Sequence, residues 1–360
     1  MKLLFYINTI RHGGAERVLT QLAKMFSMEG NKVILVTSYF ADDEYGLYEG
    51  IERICLENSK LNESKIKRNV TRILKLRKIL KEEKPDAVIS FMKEPNFRTI
   101  IASIGLPNKV ITSVRNDPNR EYSGFIGTLV GKIILPLSNG CIFQTKDAQQ
   151  WFPKKLIKKS CIIFNAVDES FYNVQKDFGE NIVSVGRLSK QKNFKMLIEA
   201  FSQIKDQFCN VNLEIYGKGE EEEELLTLIK QLNLIDRVKL KGISDNIPNV
   251  LKKAKLFVLS SDYEGMPNCL MEAMAVGVPC IATNCPCGGP RALICNDING
   301  ILIPINDKEC MSNAIFSVLN NESMAHTLGE NARKKAEEFH PDIIFKQWKS
   351  FIERVISNDI

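Results

Sequence analysis

Histidine is scarce in this 360-residue chain, with three copies, and tryptophan has only two. His12 lies in a candidate loop, whereas His326 and His340 fall in peripheral C-terminal helical patterns. No run of about 18 uncharged apolar residues occurs, which argues against a transmembrane helix. The N-terminus MKLLFYINTI starts like a signal peptide but passes directly into RHGGAER without a small-residue cleavage site, so it reads as a first buried strand. The ten cysteines lack framework spacing, and Cys141, Cys161 and Cys280 sit in apolar runs, as free thiols of a reducing compartment do. One tight pair exists, Cys285-Pro-Cys287, with no second pair or histidine nearby to complete a zinc site. The dinucleotide fingerprint GxGxxG is missing, and no nucleic-acid-binding motif accompanies the basic residues.

What is present is enough for a large core and more than one domain: 44% of residues are hydrophobic and 26% charged. The net charge of +6 is uneven. Residues 1–178 hold 28 Lys and Arg against 19 Asp and Glu, and residues 179–360 hold 21 against 24, so the basic excess belongs to the first half. Two clusters dominate it, KIKRNVTRILKLRKILK from Lys65 to Lys81 and KKLIKK from Lys154 to Lys159. In the first, Ile66, Val70, Ile73 and Leu74 recur at helical spacing. This is either an interfacial helix drawn to anionic lipid or an ordinary solvated helix packed on a sheet.

Short apolar runs alternate with helical patterns along the whole chain. In the first half, strands are expected at Lys2–Ile7, Lys32–Ser38, Asp86–Phe91, Lys109–Val114 and Gly140–Thr145, with helices over 15–29, 66–82, 96–104 and 146–152. The second half repeats the pattern with strands at Asn181–Val185, Val211–Tyr216, Val238–Lys241, Leu256–Leu259, Val278–Thr283 and Gly300–Ile303, and helices near 193–206, 221–232, 269–276 and 307–320. Both halves read as βα repeats around parallel sheets. Domains are expected over 1–172 and 173–340, with a last helix in 341–360 packing back across the junction through Phe345, Trp348 and Phe351. The apolar, glycine-containing segment Tyr122–Phe143 is expected to be a buried helix, with shallow lipid contact as the alternative.

Candidate chemistry gathers where expected strands end. Gly13 and Gly14 follow the first strand, where a glycine turn and a helix N-terminus suit an anion or a sugar, although a tight turn needs no ligand. Arg187 and Lys192 leave the first strand of the second half, five residues apart, and suit a diphosphate. Cations at a helix start oppose the helix dipole, a conflict that a bound anion would remove. Gly217 and Gly242 follow the next two strands and could admit a nucleotide. Glu264 sits in a turn-rich loop, with Glu272 eight residues later in a short apolar helix. Around Glu264, the amides of Gly265, Met266 and Asn268 suit sugar hydroxyls or phosphate oxygens, and Glu272 suits a ribose diol. The competing reading leaves Glu272 facing water.

With these residues in place, the chain resembles the retaining nucleotide-sugar glycosyltransferases of family 4. The matching motifs are GGAERV (Gly13–Val18), VGRLSKQKN (Val185–Asn193) and EGMPNCLME (Glu264–Glu272) running into AMAVGVPCIAT. The resemblance implies an α/β GT-B architecture of two Rossmann-like domains, acceptor bound mainly in the first and nucleotide-sugar donor in the second. It implies that Arg187 and Lys192 hold the donor diphosphate, Glu264 the transferred sugar and Glu272 the ribose, with Gly13 and Gly14 near the donor phosphate or acceptor. It further implies transfer with retention and without a metal or other cofactor, the leaving phosphate taking the acceptor proton. The loop CPCGGPR (Cys285–Arg291) resembles that of members building bacterial surface polysaccharide (lipopolysaccharide or capsule) or lipid-linked glycans. The expected function is transfer of a hexose or N-acetylhexosamine from a UDP-sugar to a glycan or lipid-linked acceptor. The expected location is the cytoplasm or the inner face of the membrane, reached through the basic first domain, with no nucleic-acid partner. An epimerase of the same architecture and a non-catalytic nucleotide-sugar-binding protein are the alternatives.

One departure stands out. Many relatives carry a histidine after the fourth strand of the first domain, and here Arg115 takes that place, followed by Asn116 and Asp117. An arginine cannot carry a proton near neutral pH, so Arg115 and Asn116 are expected, with His12, to bind acceptor or steady leaving-group charge. Asp117 is the candidate local base.

Overall fold

The computed structural model describes residues 1–11, 13–57, 64–177 and 179–359. His12 lies outside the described residues. The chain divides into two compact units, one of Met1–Asn165 with Ile344–Ile360 and one of Ala166–Ile343.

The first unit holds a sheet of β1 (Lys2–Ile7), β2 (Lys32–Tyr39), β3 (Glu52–Glu57), β4 (Ala87–Phe91), β5 (Lys109–Ser113), β6 (Gly140–Phe143) and β7 (Ser160–Ile162), in the order β3-β2-β1-β4-β5-β6-β7. Every pairing is parallel, with Leu3 opposite Val33 on one side and Ala87 on the other. Leu3 to Ile7 and Val33 to Val36 are wholly buried, because helices cover both faces of a parallel sheet and its strands must be apolar throughout. Strands β3 and β7 were not anticipated. Both are edge strands, and a half-exposed run such as ERICLE lacks the continuous apolar signal of an interior strand.

The second unit repeats the plan with β8 (Asn181–Val185), β9 (Leu213–Tyr216), β10 (Val238–Gly242), β11 (Ala254–Leu259), β12 (Cys280–Thr283) and β13 (Ile301–Ile303), ordered β10-β9-β8-β11-β12-β13 and all parallel. Phe194, Leu197, Ile198 and Phe201 of the helix Phe194–Ile204 pack into its core. His326 lies, as expected, in a C-terminal helix, Glu322–Ala336, whose buried side is made of Leu328, Gly329, Ala332 and Ala336.

The last helix, Pro341–Ser357, places Trp348, Phe351 and Val355 in the core of the first unit. Phe345 meets Phe26 edge-on at 4.8 Å, and Trp348 stacks on Phe91 at 5.7 Å. Burial of rings this size is worth about 1.5–3 kcal/mol apiece, so this distant segment is part of the first unit's core.

One helix shows a packed face that its periodicity had left open, and one expected helix is corrected. In the helix Lys65–Glu83 the packed face is Arg72, Leu76 and Leu80, while Ile66, Val70 and Leu74 are exposed. On the packed side Arg72 forms a buried ion pair, donating from Nε and Nη2 to Glu57 at 2.7 and 2.9 Å, and Ile73 packs partly buried against the same core. The segment from Tyr122 to Phe143 is not a buried helix. It runs as a short α-helix Gly124–Leu129, a π-helical turn Val130–Ile134 and a 3-10 turn Leu135–Leu137 before β6. Its glycine face packs inward. A Cβ on Gly127 would lie 2.5 Å from the Tyr122 backbone, and one on Gly131 would lie 2.6 Å from the Trp151 ring. The large apolar side chains are thereby turned outward.

Candidate active site

In an open α/β sheet, ligands bind beyond the carboxyl ends of the strands at the point where the strand order reverses. In the second unit that point lies between β8 and β11. The loop after β8 carries Arg187 and Lys192, and the loop after β11 carries Glu264. The structure brings these two loops together. Lys192 Nζ donates to Glu264 Oε1 at 2.5 Å, and Ser261 Oγ donates to the same oxygen at 2.7 Å. Both side chains are nearly buried, at 16% and 8% exposure. Burial alone would push the Lys192 ammonium toward losing its proton, but the Glu264 carboxylate outweighs burial and holds its pKa above the ordinary lysine value.

Backbone contacts lock the two loops in register. Asp262 N donates to Gln191 O at 2.8 Å, Gln191 Nε2 to Tyr263 O at 3.0 Å, and Ser260 Oγ to Lys192 O at 2.7 Å. Asn193, in the left-handed region at φ +45°, caps the following helix through Met196 N while its Nδ2 donates to Asp262. The short apolar helix Asn268–Val276 starts directly after this loop, and it carries Glu272 into the interior at 5% exposure. The competing reading of a water-facing Glu272 is therefore excluded: this helix is buried all round, from Leu270 to Val276. Met266 is buried, Gly265 lies at the packed center of the loop, and Asn268 is half-buried at the helix start.

The glycines act mostly by letting backbones approach. A Cβ on Gly217 would fall 1.8 Å from Gly186 O, and one on Gly219 would fall 2.1 Å from Leu188 O. The loop after β9 thus clamps the loop that carries Arg187, with Leu188 N donating to Lys218 O at 3.0 Å. Gly217 N in turn donates to Gly242 O at 2.8 Å, and Gly242 has φ +69°. Gly289, in the CPCGGPR loop, lies against Gly265, where a Cβ would meet Gly265 O at 2.0 Å. Arg187 itself is exposed and forms no ion pair among the described residues. A cavity of ≈ 410 Å³ lies beside this site, lined by Lys190, Asn193, Asp262 and Glu221, but it does not include Lys192 or Glu264.

In the first unit the strand order reverses between β1 and β4. Gly13 follows β1 as the N-cap of the helix Gly14–Met28, and Gly14 is its exposed first residue. The open side of Gly13 is taken by Glu16, whose Oε2 would lie 2.3 Å from a Cβ there. Met92, after β4, has φ +76°, a conformation that costs a non-glycine residue on the order of 1–3 kcal/mol. It cannot cap the helix Lys93–Ser103, and Glu121 does so instead, accepting from Lys93 N at 2.7 Å. Burial pushes the Glu121 carboxyl up to about 7; the Lys93 N–H opposes this and Glu94 adds to it.

Arg115 is 8% exposed and lies over two rings, 4.1 Å from the center of Phe91 and 5.4 Å from that of Trp348, with Nη1 donating to Asn165 at 2.8 Å. Burial lowers its pKa to about 9, and Nε and Nη2 have no partner among the described residues. Asn116 is half-buried, and Asp117 is spent as an N-cap, accepting from Asn119 N at 3.0 Å. Sequence reasoning missed the cavity of ≈ 630 Å³ at the carboxyl ends of β1 to β3, lined by Asn8, Tyr39, Phe40, Asp42, Arg68 and Glu94 among others. Tyr39 and Phe40 stand at its rim, 40% and 56% exposed, a pair that the end of an apolar strand run conceals. Among the described residues no group of three or more His, Cys, Asp and Glu is arranged to hold a metal ion.

Known proteins place this geometry in a family. Residues 12–171 match Glycosyltransferase Family 4, and residues 169–335 match Glycosyl transferases group 1. The chain belongs to the GT-B-fold glycosyltransferase family. This GT-B chain is 27% identical, over 99% of both chains, to the GalNAc-alpha-(1->4)-GalNAc-alpha-(1->3)-diNAcBac-PP-undecaprenol alpha-1,4-N-acetyl-D-galactosaminyltransferase of Campylobacter jejuni. It is 28% identical to the N-acetylgalactosamine-N,N'-diacetylbacillosaminyl-diphospho-undecaprenol 4-alpha-N-acetylgalactosaminyltransferase of the same organism, over 94% of this chain and 95% of that one. Among solved structures, Anabaena Alr3699/HepE in complex with UDP and glucose superposes with a TM-score of 0.81 at 19% identity, covering 98% and 99% of the two chains. Sucrose-phosphate synthase from Thermosynechococcus elongatus gives 0.84 at 18% identity, covering 99% and 100%. At these identities the structures establish the two-domain GT-B fold.

Proposed function

We propose that this glycosyltransferase moves a hexose or N-acetylhexosamine from a UDP-sugar to a glycan or lipid-linked saccharide in surface-polysaccharide assembly, with retention and without a metal ion. The observation that carries the reading is the buried Lys192–Glu264 pair at the reversal point of the second sheet, beside the exposed Arg187. A structural ion pair needs no such place. At this edge a fixed ammonium and a free guanidinium suit the donor diphosphate, and they stabilise the charge that develops on it as the sugar departs. Both described bonds of Glu264 go to Oε1, which leaves Oε2 to accept from a hydroxyl of the transferred sugar. Glu272 serves the ribose, and Gly265, Met266 and Asn268 supply main-chain N–H groups.

In the transfer itself, the acceptor hydroxyl oxygen bonds to the anomeric carbon as the carbon–phosphate oxygen bond breaks. The hydroxyl proton passes to the departing phosphate, and UDP is released. In this scheme Glu264 is not needed as a nucleophile, nor Asp117 as a base. The cavity at the carboxyl ends of β1 to β3 is the acceptor's place in this reading, because exposed rings of Tyr39 and Phe40 suit a sugar face and Asn8, Asp42 and Glu94 suit its hydroxyls. UDP release from a donor panel, measured with and without saccharide and lipid-linked acceptors, is expected to require both substrates, with product anomer read by NMR. Release of an epimerised nucleotide sugar without acceptor would replace transfer by epimerisation. Donor binding with no turnover in the parent, Lys192→Ala or Glu264→Ala would leave a binding protein.

A further inference from the structure

The helical layer on one side of the first sheet presents an apolar outer surface that no described residue covers. The helix Lys65–Glu83 packs on the helix Lys93–Ser103, which also touches the turns Val130–Ile134 and Leu135–Leu137, so these elements form one continuous layer. From the helix Lys65–Glu83, Ile66, Val70 and Leu74 point outward at 79%, 50% and 62% exposure. From the segment 124–137, Phe125, Ile126, Leu129, Ile133 and Leu137 do the same, with Phe125 at 85%. Both rows recur every four residues, one stripe on each element. Large apolar side chains in stripes of this kind mark interaction surfaces, whereas scattered ones need no explanation.

The charge around them identifies the occupant. Residues 65–83 carry eight Lys and Arg against two Asp and Glu, and residues 118–159 carry seven against two. Lys132, Lys154, Lys155 and Lys158 are exposed near the second stripe, and Lys132 reaches back to the carbonyl of Trp151 and over its ring at 3.8 Å. Two copies of so basic a face would repel each other. No helix among the described residues is long and apolar enough to cross a membrane. We propose that this layer docks in the plane of an anionic lipid bilayer, with Phe125, Ile126, Leu129 and Ile133 inserted at the headgroup level and the lysines against the phosphates. Gly127 and Gly131 seat the segment against Tyr122 and Trp151, while Phe125, Leu129 and Ile133 stay exposed. The inference goes beyond the transfer reaction and does not depend on it, since partition onto vesicles needs no turnover.

The test is flotation of the full chain with phosphatidylcholine vesicles, with and without phosphatidylglycerol, at low and high salt. Binding is expected to need phosphatidylglycerol, to weaken with salt, and to fall on the order of tenfold or more in Phe125→Ser/Ile126→Ser, whose side chains have no packing role to lose. Lys154→Gln/Lys155→Gln is expected to weaken binding by less and to flatten its salt dependence. Circular dichroism and transfer to a water-soluble acceptor should be unchanged in both variants. Equal partition of parent and Phe125→Ser/Ile126→Ser, or no preference for phosphatidylglycerol, would overturn the proposal. So would a parent that stays off every vesicle and self-associates in sedimentation through Phe125 and Ile126.

Discussion

Glu264→Gln tests the Lys192–Glu264 pair most directly. The substitution keeps the size of the side chain and an oxygen facing Ser261 Oγ and Lys192 Nζ, at 2.7 and 2.5 Å in the parent, but removes the charge. What remains is an ammonium with 16% of its side chain exposed and no carboxylate. Removing one partner of a buried pair costs about 3–5 kcal/mol. The surviving amide oxygen offsets part of this, so the expected loss is about 2–3 kcal/mol. Lys192→Met should cost a similar amount, and joining it to Glu264→Leu should cost less than either, because two apolar side chains leave no orphaned charge. Urea unfolding of the full chain reads the effect: circular dichroism reports both units, whereas Trp151 and Trp348 both lie in the first and report on it alone. The pH dependence has a definite sign. Because the folded pKa of Lys192 is raised, its contribution is complete below the ordinary lysine value of 10.5 and is lost only as pH rises through the higher folded value. A loss below about 0.5 kcal/mol for Glu264→Gln, or strictly additive costs in the double variant, would refute a strong buried pair.

Three further outcomes follow from the geometry. Glu121, raised from 4.5 to about 7, keeps a proton in the folded chain that the unfolded chain releases, so it makes stability fall as pH rises from about 4.5 through 7. Glu121→Gln should remove that slope in urea midpoints taken across the range; an unchanged slope would assign it to another group. Arg115→Lys should cost about 1–2 kcal/mol by tryptophan-monitored unfolding, since an ammonium cannot lie flat over Phe91 and Trp348 while donating to Asn165, and an equally stable variant would show that the rings do not hold the guanidinium. Gly289→Ala should leave the chain folded but weaken UDP-sugar binding about tenfold or more by calorimetry, because its Cβ would force Gly265 and Pro267 to move beside Glu264; unaltered binding would separate that loop from the donor.

Interior strands were legible in the sequence because a parallel strand covered on both faces must be apolar along its length, as in Leu3–Ile7 and Phe257–Leu259. The edge strands Glu52–Glu57 and Ser160–Ile162 were not, since half their surface faces outward. Local patterns also named Arg187, Lys192, Glu264 and Glu272, as residues leaving strand ends in glycine-rich turns. They could not say that Lys192 and Glu264, 72 residues apart, touch each other. Nor could periodicity choose the packed face of the helix Lys65–Glu83, where Arg72, paired with the distant Glu57, joins Leu76 and Leu80 on the buried side.

The sequence by itself therefore determined two βα sheets, the GT-B glycosyltransferase family and the candidates for the proposed donor site, because strand burial and turn chemistry are local and periodic. Tertiary structure alone decided which charges are paired, which glycines admit a backbone instead of a ligand, and which way Phe125 and its neighbors face. Those depend on atoms far apart in the chain: a carbonyl of Gly186 against Gly217, a ring of Trp151 against Gly131, and a carboxylate on β3 holding a helix by its arginine.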